Sequence, residues 1–277
     1  MKFKKLGAMV VAAALTCAVA LAGCAGGGNA STSGSASNSS DKASGDYTLV
    51  KDGTLTVGVS PDFPPFENLD GEEYVGLDMD LAREVSKEMG LKVEFKTLQF
   101  DAILPAVAAG GQVDVGWSGI TVDPKRSKTV DFSDPYYVDD QCIVTMKSNT
   151  ALTKDSYKTD LNKNTVTIAV QSGSTGESYA KEKFPNAKIS AFGNATDCFA
   201  QLQAGKADAV AINKAVGEKM VASAYTDAQV VAKVATGENY AVAVSKDNPA
   251  LTKAINKAIK KLEKSGKLDE LIQKNLS

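Results

Sequence analysis

Val113-Asp114-Val115-Gly116-Trp117-Ser118-Gly119-Ile120-Thr121-Val122-Asp123-Pro124-Lys125-Arg126 reads in succession as a strand, a glycine loop and a helix start. Val113, Val115 and Trp117 alternate with Asp114, Gly116 and Ser118, the period of two of a β-strand. The strand should stop at Ser118-Gly119, where the absence of a Cβ lets a ligand come close to the main chain. Asp123-Pro124 is an N-cap followed by the residue best tolerated at a first helical position, which predicts a helix carrying Arg126 in its first turn. A guanidinium there presents a planar fork suited to a carboxylate. A lone arginine is usually just solvated; the loop around Arg126 is what makes it a candidate.

The same arrangement occurs a second time. Gly111 to Gly119 aligns with Gly205 to Asn213, and Leu55 to Ser60 aligns with Val166 to Gln171. Two βαβ-type lobes are predicted. Ligands of such sheets collect outside the carboxyl ends of the strands, so Ser60, Gly119, Gln171 and Asn213 should face one crevice.

Residues 1–23 are predicted to be a signal peptide. Lys2, Lys4 and Lys5 precede an apolar stretch from Leu6 to Gly23, and Leu21-Ala22-Gly23-Cys24 is the pattern of a lipoprotein cleavage site. Cys24 would become the lipidated first residue. Residues 24–46 are nearly all Gly, Ala, Ser, Asn and Thr, too poor in apolar surface to offset the entropy of ordering. They form a tether, whose ends as a random coil lie about 25 Å apart.

Residues 47–277 are long enough for two lobes of ordinary size. The net charge of −2 becomes more negative once the signal lysines are gone, which gives no electrostatic reason to expect nucleic acid or an acidic membrane surface as a partner. There is no histidine, so the commonest general base and metal ligand are both missing. Beyond Cys24 the body carries only Cys142 and Cys198, which lack metal-ligand spacing. No metal, cofactor or catalytic residue is therefore assigned. Whether the two cysteines form a disulfide stays open, because spacing cannot establish geometry.

Along the first lobe, Ser60-Pro61-Asp62-Phe63-Pro64-Pro65-Phe66 is a stiffened loop, with Phe66 assigned to the core and Phe63 to a cleft wall. Leu77, Leu81, Val85 and Met89, followed by Gly90, predict an amphipathic helix with a glycine cap. Phe100-Asp101 opens another helix, with Asp101 as its cap. Gln141 to Met146 is the predicted crossing to the second lobe and Gly237 to Val244 the return. Ser172-Gly173-Ser174-Thr175-Gly176-Glu177 follows a strand and precedes a helix, so its free amides and the helix dipole suit an anion. Leu251 to Leu262 and Leu268 to Leu276 predict two closing helices.

Taken together, Asp62-Phe63-Pro64-Pro65-Phe66, Gly76-Leu77-Asp78-Met79-Asp80-Leu81, Ser118-Gly119-Ile120-Thr121 with Arg126, Asp131-Phe132-Ser133-Asp134-Pro135-Tyr136 and Ser172 to Glu177 resemble the extracytoplasmic solute-binding proteins of ABC importers, polar amino acid branch. The resemblance runs from Leu55 to Leu276. It implies an α/β, two-lobed periplasmic-binding-protein-like fold (type II) with two crossing strands as hinge. Lobe I would be residues 47–139 and 239–277, and lobe II residues 140–238. Arg126 and the amides near Ser174 and Thr175 would hold a ligand carboxylate, and Ser118, Gly119 and Thr121 its amino end. Phe63 and Phe100 would line the pocket, with Gln171 on the ligand side chain.

The implied partners are a small ligand, an amino acid or similar zwitterion, and a membrane permease, with the protein acting as a lipid-anchored, extracytoplasmic monomer. Two positions depart from the family pattern, which usually has aspartate where Asn213 stands and, in histidine- and glutamine-binding relatives, another where Ser60 stands. Without that carboxylate a ligand ammonium needs a counter-charge from Glu177 or Asp62, or the ligand has no ordinary ammonium there. The alternatives are an enzyme resembling cyclohexadienyl dehydratases, with Glu177 as the one nameable general acid, or a ligand sensor.

Overall fold

The structure is a computed structural model that describes residues 46–276; the predicted signal segment, Cys24 and the predicted tether up to residue 45 lie outside the described residues. Two five-stranded sheets carry the fold. The first has the spatial order Lys92–Thr97, Thr54–Val59, Val115–Gly116, Ala243–Ser245, Val130–Phe132, and the second Lys188–Phe192, Thr167–Gln171, Ala209–Asn213, Tyr137–Met146, Ala228–Tyr240. In both sheets the first three strands are parallel and the fourth runs antiparallel to its neighbours.

The repeat legible in the sequence extends to individual hydrogen bonds. Asp114 donates its N–H to Thr56 O at 2.8 Å and accepts Thr56 N–H on Oδ2 at 2.7 Å; Asp208 does the same with Thr167 at 2.8 Å both ways. One aspartate thus registers the central parallel pair in each sheet.

Burial explains the helices. Leu77, Leu81 and Val85 on helix Leu77–Glu88 pack with Leu55, Val57 and with Leu251, Ile255 and Ile259 of helix Pro249–Lys264. Under the second sheet, Ile168 and Val170 pack with Ala180 and Phe184. Helix Leu77–Glu88 ends as predicted, with Gly90 at φ 70° and N–H bonds from Gly90 to Lys87 O (3.0 Å) and from Leu91 to Ser86 O (2.8 Å).

Several expectations are corrected. In the opening stretch only Val115–Gly116 pair as strand, and every residue from Val113 to Thr121 is buried. The segment is covered on both faces, as central parallel strands are, and a Cβ on Gly116 would stand 2.6 Å from Ile103 Cγ2. No α-helix follows Asp123-Pro124. Asp123 Oδ1 does accept Lys125 N–H (2.7 Å) and Arg126 N–H (3.2 Å), but only a 3-10 turn, Arg126–Lys128, fits before strand Val130–Phe132 begins.

Asp101 is not an N-cap; it lies in the first turn of helix Phe100–Ala109 and accepts Ser172 Oγ–H at 2.9 Å from the facing sheet. The first crossing strand starts at Tyr137 rather than Gln141, because Tyr137 pairs with Tyr240 and the two crossings run side by side. Cys142 and Cys198 are separate, buried thiols, and burial pushes the pKa of each upward, away from reactivity.

Candidate functional site

On the first sheet the loops after parallel strands converge through side chains. Ser60 N–H donates to Ser118 Oγ (3.1 Å), and Ser118 Oγ–H donates to Glu67 Oε1 (2.7 Å). Gly119 N–H donates to Asp78 Oδ2 (2.7 Å), which also accepts the Tyr136 hydroxyl (2.8 Å). Gly119 has φ 53°, and a Cβ there would stand 3.0 Å from Phe63 Cε1, so glycine is required both by the backbone and by the ring lying on it.

Glu67 and Asp78 are fully buried. Burial raises the pKa of Glu67 well above its ordinary value, and the Asp78 charge adds to that. Burial likewise lifts Asp78 to about 7, against the stabilising bonds from Gly119 and Tyr136. Glu67 Oε2 and Asp78 Oδ1 are buried and have no hydrogen-bond partner among the described residues. This pair braces the Ser118-Gly119 loop from behind. Glu67 went unnoticed in the sequence because nothing periodic surrounds it.

Arg126 bridges the two sheets. Its Nη1 donates to Thr121 O and its Nη2 to Gly173 O, both at 2.9 Å, while the guanidinium lies 5.6 Å from the centre of the Phe100 ring. Burial lowers its pKa, yet a guanidinium stays charged. Gly173 belongs to the loop expected opposite it. In that loop Ser174 Oγ caps helix Thr175–Lys183 by accepting Glu177 N–H at 3.0 Å, which fixes the helix N-terminus beside Arg126.

The second sheet contributes Gln171 and Asn213, both at strand ends and both buried. Gln171 Nε2 has no partner among the described residues. Asn213 Nδ2 donates to Glu238 Oε2 at 3.0 Å, and that same oxygen accepts the hydroxyls of Thr121 (2.8 Å) and Thr175 (2.7 Å). Gln141 Nε2 donates to Glu238 Oε1 at 2.8 Å.

Glu238 is the site residue that sequence reasoning missed. The signal was present: Glu238 shares its face of the crossing with buried Tyr240, Val242 and Val244, while Gly237 and Asn239 are exposed. A charged residue on the buried side of a strand is the informative exception.

The two acids proposed to supply the counter-charge are committed elsewhere. Glu177 is paired with Lys181 at 2.6 Å and accepts Gly173 N–H at 2.7 Å. Its burial is outweighed by these partners, so its pKa is lowered and it holds no proton at neutral pH to serve as a general acid. Asp62 accepts N–H from Ala195 and, at 3.3 Å, from Thr196, and also the Ser60 hydroxyl at 3.0 Å. Among the described residues no cluster of acids and cysteines is arranged to hold a metal ion.

Ser60, Ser118 and Gly119 thus belong to the first sheet with Phe63 packed on Gly119, Gln171, Ser174, Thr175 and Asn213 belong to the second, and Arg126 over Phe100 donates from one to the other at Gly173 O. Two α/β lobes joined by two crossing strands, with polar strand-end loops facing across the gap, define a two-lobed solute-binding protein. The chain belongs to the bacterial extracellular solute-binding proteins, family 3, whose sequence profile matches residues 55–277.

It is 30% identical over 270 residues to the probable histidine-binding protein of Neisseria gonorrhoeae, covering 95% of this chain and 94% of that one. It is 33% identical over 224 residues to the arginine-binding extracellular protein ArtP of Bacillus subtilis (strain 168), covering 79% and 85%. Among solved structures, the ancestral amino acid-binding protein AncCDT-1, a precursor of cyclohexadienyl dehydratase, matches with 39% identity and a TM-score of 0.75 over 81% of this chain and 96% of that one.

Proposed function

We propose that this protein captures an amino acid between its lobes and delivers it to an ABC permease, acting as a binding protein without turnover. Lobe I is residues 47–139 and 239–277, and lobe II is residues 140–238. The observation that carries the reading is Arg126, whose fork reaches a main-chain carbonyl of the opposite lobe beside the Ser174-capped helix. A ligand carboxylate entering there meets the guanidinium and the helix amides together. Ser60, Phe63, Phe100, Ser118, Gly119, Thr121, Gln171, Ser174, Thr175 and Asn213 form the rest of the binding surface. The relatives that bind histidine and arginine support an amino acid as cargo. The protein works outside the cytoplasm as a monomer held by a lipid on Cys24, on the strength of Leu21-Ala22-Gly23-Cys24 and the tether after it.

A thermal-shift screen of the purified protein against the common L-amino acids tests this. A ligand at a hundred times its Kd should stabilise by about 2.7 kcal/mol, and a flat response across the whole set would end the amino acid reading.

A further inference from the structure

The geometry points to Glu238 as the residue that pairs with the cationic amino group of the ligand, in the place that Asn213 leaves without charge. This deepens the amino acid reading above and rests on it.

Glu238 is 9% exposed, and its carboxylate accepts bonds from Thr121, Thr175, Asn213 and Gln141 and, at 3.3 Å, from the Thr236 hydroxyl. All five donors are neutral. Among the described residues no lysine or arginine nitrogen lies within ion-pair distance of it. Arg126 acts on it only through its field, since its terminal nitrogens face Thr121 O and Gly173 O. A buried anion whose direct hydrogen-bond partners are all neutral is costly, and a cation brought in beside it recovers that cost.

The position of the carboxylate matches that role. Its Oε2 touches Thr121 of lobe I and Thr175 and Asn213 of lobe II, so the charge lies between the lobes and one hydrogen bond from the strand-end amide of Asn213. The cluster is also short of donors: Gln141 Oε1 is buried and unpartnered among the described residues. With Arg126 on the carboxylate side and Glu238 on the other, the site has the two opposite charges that an α-amino acid presents. The ligand class is therefore amino acids with a free, charged amino group rather than simple carboxylic acids.

The test uses the purified full chain and calorimetry, with L-arginine, L-histidine and L-glutamine as probes, each beside the same molecule lacking its α-amino group. Wild type should bind at least one amino acid about a hundredfold more tightly than its des-amino partner, the size expected for a buried charge pair. Glu238→Gln should lose most of that preference, weakening the amino acid while leaving the des-amino compound within about threefold. The double variant Glu238→Gln/Asn213→Asp moves the charge across one hydrogen bond, and should restore affinity to within about tenfold of wild type.

A Glu238→Gln protein that still prefers the amino compound as wild type does would overturn the assignment while leaving the binding function intact. If no probe binds wild type at all, the amino acid reading falls and this inference with it. Should Glu238→Gln fail to melt cooperatively, the double variant decides: retained preference supports the proposal and lost preference overturns it.

Discussion

Asp78 stands directly behind the Gly119 amide, and its proton makes loop and stability respond to pH. An unfolded aspartate ionises near about 3.9, whereas folded Asp78 does so at about 7 because burial disfavours its charge. The folded state holds the extra proton between those values, so stability is fullest below the lower one and declines as pH rises through the upper. We expect the melting temperature of wild type to fall from about pH 5 to about pH 8 by more than that of Asp78→Asn, whose amide oxygen keeps the Gly119 and Tyr136 bonds. Parallel pH curves would show that Asp78 holds no extra proton in the folded state. Arg126→Lys should weaken binding of whichever amino acid stabilises wild type by about tenfold or more, since an ammonium cannot make two parallel bonds to a carboxylate. Calorimetry on both proteins checks it, and equal affinities would remove Arg126 from the site. Residues such as Arg126 and Asn213 were legible because a turn or strand end announces them, whereas Glu67 acquires its role only through contacts far away in sequence.

Helix Ala195–Gln203 shows how an element can depend on the opposite lobe. Its own N-cap, Asn194, makes no side-chain capping bond; Asp62 from the other side of the cleft accepts the Ala195 and Thr196 amides instead. That cap exists only when the lobes are together. Replacing a capping acid with alanine costs about 1 kcal/mol, so Asp62→Ala should shift the balance away from closure and reduce amino acid affinity about fivefold. Titration calorimetry with small-angle scattering would measure both, and a variant with wild-type affinity and an unchanged radius would sink the idea. At this scale the helices Leu77–Glu88 and Pro249–Lys264 were legible because their apolar spacing is their burial pattern. The 3-10 turn at Arg126 was not, since a good cap at Asp123 says nothing of how soon the next strand will claim the chain.

Across the whole molecule, the duplicated lobe was legible because Asp114 and Asp208 do the same local work in each half. The contacts that close the lobes, such as Ser172 with Asp101, join unrelated positions and leave no periodic trace. The proposed attachment to a membrane is a separate matter from this closure. Among the described residues no helix is long and apolar enough to cross a membrane, and the anchor proposed above is assigned to the segment that contains Lys2, Lys4, Lys5 and Leu21-Ala22-Gly23-Cys24. One acyl chain alone holds a protein marginally, with a binding constant of about 10⁴ M⁻¹, and stable attachment needs a second signal. If Cys24 carries the lipids, Cys24→Ser should move the protein from the membrane to the soluble fraction and leave its amino acid affinity unchanged within about twofold, because Cys24 is not among the residues of the proposed site. Fractionation of cells expressing each form, followed by calorimetry on the released protein, reads both effects. A serine variant that still sediments with membranes would shift the anchor to the apolar run from Leu6 to Gly23 itself, and one that is released but no longer binds would mean that the lobes depend on the segment before residue 46.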